Sequence, residues 1–321
     1  MKRIAALTVA VAALVAVVGC GGSGGGSVGT GPATLTVQDI AGVPSGFLSF
    51  GVQKGFFRKR GLTVKVVPAQ GGAAIIPAVL SGKVQIGGSN LVSTLLATSK
   101  GLPLQVIAPG TSAPDTTHKD FVGIVVRGDS PIHSAKQLEG KTIAINTLNN
   151  VNDVTDKAAL AKQGVDVSKL KFTEVELPDM QAALSSHRVD AITPIEPFLT
   201  GALQGGNRLV ARPYVQTKPG LEVGSYLASK KYISENPSVI QRFTAALRET
   251  GAYVAQHPDE LRALLASKGN VPEKLANDMT LPQWNGQVDM SSLRLYGTLM
   301  QRFGLLKQPP SLGDVVAKPG S

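Results

Sequence analysis

The sequence predicts an α/β fold made of two similar lobes. From Ala33 onwards, short runs of β-branched residues alternate with longer stretches of helical spacing, which is typical of repeated βα units. The same order of strand, polar turn and helix occurs in both halves of the chain. With 321 residues, of which 43% are hydrophobic and 17% charged, the chain has the length for two domains and the composition of a folded protein.

The first series of elements covers residues 35 to 108. Its apolar runs are short enough for strands, and Gly, Ser or Asn residues, which are common in turns and helix caps, separate them from the helices. We expect strands over 35–40, 62–67, 84–87 and 104–108, and helices over 47–54, 73–80 and 91–99.

The second series begins near Phe121, and the chain is mainly helical after Tyr214. Ile240, Phe243 and Leu247 recur at helical spacing, which indicates the apolar face of a helix that packs on the core. We expect strands over 121–126, 142–146, 171–176 and 191–194, a short helix and turn over 134–141, and helices over 153–163, 179–186, 237–256, 259–267 and 291–303.

The N-terminus has the organisation of a bacterial export signal. Two basic residues precede an apolar run over 4–18, which is short for a membrane span. Residues 17–20 resemble a lipobox, at which the peptidase cuts before the cysteine and the new terminal residue carries lipid. We therefore expect a signal peptide over 1–19, acyl chains such as palmitate on Cys20, and a flexible Gly/Ser-rich tether over 20–33.

Cysteine content and charge narrow the range of partners. A single cysteine can form neither an intramolecular disulfide nor a four-cysteine zinc site. The net charge of +10 is of the kind that attracts nucleic acid, but an exported protein does not meet nucleic acid in its normal work, so no such partner is expected. Residues 121–215 carry equal numbers of basic and acidic side chains. The excess of basic over acidic side chains therefore lies in the rest of the chain. This positive charge suits contact with an acidic membrane or permease surface, and the alternative is that it is only solvated surface charge.

Polar turns follow the predicted strands and form the candidate ligand site. The turns over 42–45, 70–72, 88–90 and 146–150 carry Gly, Ser, Gln, Thr and Asn residues, and Glu196 stands between two prolines. In open α/β sheets ligands bind at the carboxyl ends of the strands, and such side chains donate and accept hydrogen bonds. They are suited to binding rather than to acid–base or nucleophilic chemistry.

Residues that commonly catalyse reactions are sparse in the chain. Neither a Walker motif nor a free cysteine nucleophile is present once Cys20 is acylated, and the histidines have no metal-ligand spacing. The scattered histidines are His118, His133, His187 and His257. We therefore expect no enzyme activity, no cofactor and no bound metal.

Four short sequence motifs are distributed along most of the chain. Residues 53–64 read QKGFFRKRGLTV, and the segments 138–144, 188–191 and 196–198 follow in the second half. The first segment resembles the EKGFFxKEGLDV signature of ABC-transporter solute-binding proteins in the nitrate, sulfonate, taurine and NMT1/THI5-like group, and the other three are similar to family segments in the same order. The resemblance covers about residues 35–260.

The resemblance implies a type II periplasmic-binding fold, in which two α/β lobes close over a ligand in the cleft between them. Lobe one would comprise 34–120 and 216–321, and lobe two, 121–215, would be inserted into it. Carried over position by position, the family's cleft loops correspond to Pro44, Ser45, Gln70, Gly71, Gly72, Ser89, Asn90, Asn146, Thr147, Asn149 and Glu196.

The same resemblance implies a monomeric lipoprotein held by its lipid at the outer face of the cell membrane, on the periplasmic side. It would capture a small polar molecule of the sulfonate, nitrate or pyrimidine (vitamin-precursor) type by lobe closure and deliver it to an ABC permease. Two other functions stay open: a ligand sensor acting on a membrane receptor, and an enzyme on the same fold, of THI5-like or menaquinone-pathway type. The export signal and the absence of the synthase's cysteine-rich motif argue against the enzyme.

The charged residues near the predicted cleft indicate the kind of ligand. Ser49 stands where the family usually has an aromatic residue, Gln85 stands where it usually has an acid, and Arg127 is the nearest candidate partner for a sulfonate. An ionised Glu196 in the cleft would favour an amine or a ring N–H and oppose a small anion. We therefore expect a neutral or heterocyclic ligand rather than nitrate.

Overall fold

Two five-stranded sheets organise the structure. The computed structural model describes residues 31–269 and 271–318. The predicted signal peptide, the lipidated Cys20 and most of the predicted tether lie outside the described residues, so those assignments stay predictions. Within the described ranges, no helix combines the length and the apolar character that a membrane crossing requires.

All eight predicted strands are present, and their ends differ from the predicted ends by at most three residues. The strands are β1 (Ala33–Ile40), β2 (Leu62–Ala69), β3 (Ile86–Asn90), β4 (Leu104–Pro109), β5 (Thr111–Ser112), β6 (Ile124–Val126), β7 (Thr142–Ile145), β8 (Lys171–Glu174), β9 (Ala191–Ile192), β10 (Arg208–Ala211), β11 (Gly224–Ser229) and β12 (Gln283–Trp284). β1 thus begins at the last residue of the predicted tether.

The predicted helices are also present, and the first begins four residues earlier than expected because Pro44 is well suited to the first turn of a helix. The helices are α1 (Val43–Gln53), α2 (Gly72–Leu80), α3 (Leu91–Ser99), α4 (Val151–Lys162), α5 (Met180–Ser185), α6 (Phe198–Gln204), α7 (Pro213–Thr217), α8 (Lys230–Glu235), α9 (Pro237–Gln256), α10 (Pro258–Lys268), α11 (Glu273–Asp278), α12 (Met290–Arg302) and α13 (Leu312–Val315). Short 3-10 turns cover Arg58–Arg60, Ala135–Leu138, Val167–Lys169 and Leu177–Asp179.

The first sheet has the strand order β2-β1-β3-β11-β4. β1 is parallel to β2 and β3, whereas β11 is antiparallel to β3 and β4. β11 was not predicted from the sequence, because its few residues have no alternating pattern and lie in a mainly helical part of the chain. Pairing on both edges, rather than local sequence, makes this segment a strand.

The second sheet has the order β10-β6-β9-β7-β8, and all of its strands come from residues 124–211. β7 pairs in parallel with β8 and β9, and β6 is antiparallel to β9 and β10. For the lobes built on the two sheets we propose the boundaries predicted from the sequence, 34–120 with 216–321 for one and 121–215 for the other.

Helix α9 packs its apolar stripe against the first sheet. Phe243 is fully buried, and its ring centroid lies 5.4 Å from that of Phe57 and 5.8 Å from that of Tyr226 on β11. Ile240 and Leu247 belong to the same buried cluster. The spacing that predicted this helix therefore also predicted its buried face, and α9 holds β11 in place from one side.

Among the residues that the structure describes, six side-chain carboxyl groups are buried: those of Asp39, Asp120, Asp153, Asp156, Glu196 and Glu222. Asp39, Asp120 and Glu222 are each no more than 4% exposed, and burial raises the pKa of each to about 7. Burial also raises the pKa of Asp156 and Glu196. The folded state therefore retains protons that the unfolded chain gives up near its ordinary carboxyl pKa values.

We expect the free energy of unfolding to fall as the pH rises from about 5 to about 8. Between the ordinary carboxyl pKa of 3.8 or 4.5 and about 7, these groups bind more protons in the folded state than in the unfolded state, so acid stabilises the folded state. Each pH unit in this window lowers stability by about 1 kcal/mol per group.

Urea unfolding at pH 5 and at pH 8 measures the difference in the free energy of unfolding. The Asp120→Asn variant should show a smaller pH dependence than the parent protein, because one of the proton-retaining groups is removed. A parent protein that becomes more stable from pH 5 to pH 8 would contradict the expectation.

A candidate ligand-binding site between the two sheets

A small cavity of about 60 Å³ lies where strand ends of the first sheet face those of the second. Its wall combines hydroxyl, amide and carboxyl groups with apolar and aromatic side chains, which is the usual composition of a small-molecule site. The lining residues are Asp39, Ile40, Pro44, Gly88, Ser89, Asn90, Gly110, Thr111, Phe121, Asn146, Asn150, Val151, Asn152, Ile195, Tyr214, Val223, Gly224, Ser225 and Tyr226.

A larger groove, of about 850 Å³, lies elsewhere against α9 and α13. None of the residues predicted to bind ligand lines this groove, whereas four of them line the small cavity: Pro44, Ser89, Asn90 and Asn146. The small cavity is also at the carboxyl ends of β1, β3 and β7, which is where open α/β sheets bind ligands. We therefore take the small cavity as the candidate site.

Two serine hydroxyl groups in the wall are buried without a partner. Ser89 on β3 lies directly opposite Ser225 on β11, and the two residues are 3% and 1% exposed. Neither side-chain oxygen forms a hydrogen bond with another protein group. Buried hydroxyls are normally paired, so two unpaired ones on the cavity wall are available to a ligand.

Asp39, the penultimate residue of β1, brings a carboxyl group to the wall. Its Oδ1 accepts a hydrogen bond from the Ile40 amide at 2.8 Å, and its Oδ2 accepts one from the Tyr226 hydroxyl at 2.9 Å. Gly88 makes room for this carboxyl group, since a Cβ atom at that position would stand 2.1 Å from Oδ1. Burial raises the pKa of Asp39 to about 7.

Sequence reasoning missed Asp39 and the two residues that β11 supplies, Ser225 and Tyr226. The signal for Asp39 was an acid near the end of a predicted strand, shortly before the turn over 42–45 that was selected. The β11 residues had no such signal because the strand itself was not predicted.

The opposite wall is an ordered cluster of amide side chains. Asn150 caps α4 through its Oδ1, and its Nδ2 donates to Asn146 Oδ1 at 2.8 Å and to Thr147 Oγ1 at 2.7 Å. The Tyr214 hydroxyl donates to Asn152 Oδ1 at 2.6 Å. Because these side chains hold one another in place, the polar wall is formed before any ligand binds.

A contact between the turns of the two sheets closes one side of the cavity. Asn146 Nδ2 donates to the Gln70 carbonyl oxygen at 3.0 Å, and a Cβ atom at Gly71 would approach the Thr147 side chain to 3.0 Å. These contacts join the loop after β2 to the loop after β7. The residues Gln70, Gly71 and Thr147 do not themselves line the cavity.

The other predicted site residues lie outside the cavity wall. Ser45 donates its hydroxyl to the Gly42 carbonyl at 3.2 Å within α1. Gly72 packs against Ser89, because a Cβ atom there would stand 2.2 Å from the serine oxygen. Asn149 has a positive φ of 54° and donates its amide to Asp153.

Glu196 is buried, but its carboxylate is directed away from the cavity. Its oxygens accept hydrogen bonds from the Thr200 amide at 3.0 Å, the Thr200 hydroxyl at 2.8 Å and the Thr280 amide at 3.1 Å. Arg127 is likewise outside the wall, and its Nε donates to Asp129 at 3.1 Å. The carboxyl group that the cavity does contain belongs to Asp39.

Two proteins related by sequence share about a quarter of their residues with this chain. The 4-amino-5-hydroxymethyl-2-methylpyrimidine phosphate synthase of Candida albicans (strain WO-1) is 25% identical over 244 residues, 70% of this chain and 67% of the synthase. The taurine-binding periplasmic protein of Escherichia coli (strain K12) is 24% identical over 225 residues, 68% of each chain. One relative is named as an enzyme and the other as a binding protein.

Similarity to a solved structure establishes the fold. The alkanesulfonate-binding protein SsuA of Xanthomonas axonopodis pv. citri, bound to MOPS, matches with a TM-score of 0.73 and 18% identity, over 90% of this chain and 98% of SsuA. The predicted type II periplasmic-binding fold, with two α/β lobes and a cleft between them, is confirmed. The NMT1/THI5-like family model matches residues 46–261, more than half of the chain, and the protein therefore belongs to the NMT1/THI5-like family.

Proposed function

We propose that this protein is an extracytoplasmic solute-binding lipoprotein that captures a small polar molecule and delivers it to an ABC importer permease. The observation that carries the proposal is the cavity between the two sheets, whose wall contains the unpaired hydroxyls of Ser89 and Ser225. Buried polar groups of this kind are satisfied when a ligand fills the cavity. The taurine-binding relative and the alkanesulfonate-binding neighbour support this function.

The proposed ligand contacts come from both sides of the cavity. From the first sheet, Ser89 and Ser225 supply hydroxyls that donate or accept hydrogen bonds. From the other side, Asn146 supplies an amide and Tyr214 an aromatic ring with its hydroxyl. A ligand that touches both walls binds the closed arrangement more tightly than an open one, and this difference in affinity is what drives closure.

Loop contacts favour the same closed arrangement. The Asn146–Gln70 hydrogen bond, at 3.0 Å, joins the two sides next to the cavity, and the Glu196–Thr280 bond, at 3.1 Å, joins them farther away. Such bonds are individually worth about 1 kcal/mol, which is small enough for the ligand to control the equilibrium.

Two alternatives have less support. Similarity to the Candida synthase makes an enzyme the second candidate. The cavity wall, however, has hydroxyl groups, amide groups and one carboxyl group, which suit ligand binding, and it has no evident pair of nucleophile and general base among the described lining residues. A sensor lipoprotein would use the same cavity and differ only in the membrane protein that it contacts. Co-purification of the protein with a permease and its ATPase would favour import.

The first prediction concerns the two serines. Ser225→Ala and Ser89→Ala should each weaken ligand binding about tenfold, because each removes the hydrogen bond of a buried hydroxyl. Titration calorimetry with the tightest binder among taurine, ethanesulfonate, nitrate and 4-amino-5-hydroxymethyl-2-methylpyrimidine measures the effect.

Ser45→Ala is the matched control, since that hydroxyl is bonded to the Gly42 carbonyl and lies outside the wall. Equal losses in all three serine variants, or no loss in any, would argue against this site.

The second prediction separates Glu196 from the ligand. Glu196→Gln should change ligand affinity by less than about threefold, whereas Glu196→Ala should lower the free energy of unfolding by roughly 1–3 kcal/mol because it leaves the partners at Thr200 and Thr280 unpaired. Calorimetry and urea unfolding on the same samples provide both numbers. A large loss of affinity in the Gln variant with unchanged stability would return Glu196 to the ligand site.

The third prediction concerns the anchor. Cys20→Ser should abolish incorporation of labelled palmitate and release the protein from the membrane fraction, because the lipid would hold the chain to the bilayer. Labelling and fractionation of the parent and variant in a bacterial host measure this. A parent protein that carries no lipid would contradict the lipoprotein assignment and leave ligand capture unaffected.

A further inference from the structure

Among the described residues that line the cavity, Asp39 is the only one with an acidic or basic side chain (Asp, Glu, Lys, Arg or His). It is 3% exposed, and the space beside Gly88 is just large enough for its carboxyl group. A lone carboxyl group in a closed apolar and amide-lined cavity is unfavourable when it is ionised, unless hydrogen-bond donors surround it.

The protein supplies only part of the donors that this carboxyl group can use. A carboxylate has about four acceptor positions. Two are used in the structure, one by the Ile40 amide and one by the Tyr226 hydroxyl. Burial raises the pKa of Tyr226 well above its ordinary value, so this hydroxyl remains a neutral donor. The remaining acceptor positions are left for a molecule inside the cavity.

The charge of the wall also restricts the ligand. No lysine, arginine or histidine side chain is among the lining residues that the structure describes, and Arg127 is engaged with Asp129. An anion placed in this cavity would meet the Asp39 carboxyl group without a compensating cation. The same carboxyl group favours a ligand that has an N–H donor. This holds whether the ligand's nitrogen is cationic or neutral.

We propose that the ligand is a small amino compound that directs its N–H donors to Asp39. This inference rests on the solute-binding function proposed above and assigns the chemical class of the ligand. The unpaired hydroxyls of Ser89 and Ser225 then serve the polar remainder of the ligand, and the rings of Phe121 and Tyr214 cover its apolar part.

Pairs of compounds that differ only in the amino group test this assignment. The first pair is taurine and isethionate, and the second is 4-amino-5-hydroxymethyl-2-methylpyrimidine and its analogue with a hydroxymethyl group in place of the 4-amino group, which has no N–H donor. Ethanesulfonate and nitrate serve as anions without an amino group, and a library of small amines, alcohols and acids widens the search. Binding is measured by thermal shift and then by calorimetry on the chain that follows the signal peptide.

We expect an amino compound to bind about 10- to 100-fold more tightly than its hydroxyl partner, because hydrogen bonds to a buried carboxyl group are strong. In the Asp39→Asn variant this preference should disappear. The Glu196→Gln variant is the matched control: it also removes a buried carboxylate, but one outside the cavity, so it should retain the preference. If Asp39→Asn does not fold, Tyr226→Phe, which removes one donor from Asp39, should still alter the preference.

The possible results distinguish the assignment of an amino ligand from the solute-binding function itself. Binding of ethanesulfonate, nitrate or a hydroxyl partner as tightly as the amino compound, or an amino preference that survives in Asp39→Asn, would overturn the amino assignment and leave the solute-binding function standing. A folded parent protein that binds no compound of any class would overturn both.

Discussion

The pairing of β11 between β3 and β4 is the interaction on which the cavity depends. It returns the chain from the second sheet to the first, between β3 and the edge strand β4, and its register places Ser225 opposite Ser89 and Tyr226 opposite Gly88. From there the Tyr226 hydroxyl reaches Asp39. Without this strand, the wall would lose one of its two unpaired hydroxyls and the buried carboxyl group would lose its side-chain donor.

Burial of Asp39 opposes stability, and in the proposed site it serves binding. The carboxyl group gains two hydrogen bonds but gives up its contact with water, so burial raises its pKa to about 7. Strongly perturbed groups in a cavity are often functional, because selection for stability alone would replace them with apolar residues. Glu196 is the contrasting case: its pKa is also raised, yet Thr200 and Thr280 use its oxygens within the fold.

The relatives illustrate how one fold carries different functions. A pyrimidine phosphate synthase and a taurine-binding protein are each about a quarter identical to this chain, and an alkanesulfonate-binding protein shares its architecture. The lobes and their helices are set by core packing, whereas the ligand is selected by the few side chains at the strand ends. In the proposed site, residues such as Asp39 and Ser225 would therefore select the ligand, rather than features common to the whole family.

By itself, the sequence determined the α/β class, eight of the twelve strands in the described residues, the longer helices and the apolar face of α9, because these depend on local periodicity and turn residues. It also indicated the polar strand ends, of which Ser89 and Asn146 line the cavity. Only the tertiary structure decided that β11 is a strand and that Asp39, rather than Glu196, lines the cavity. Both outcomes depend on partners distant in the chain, and local pattern carries no information about such partners.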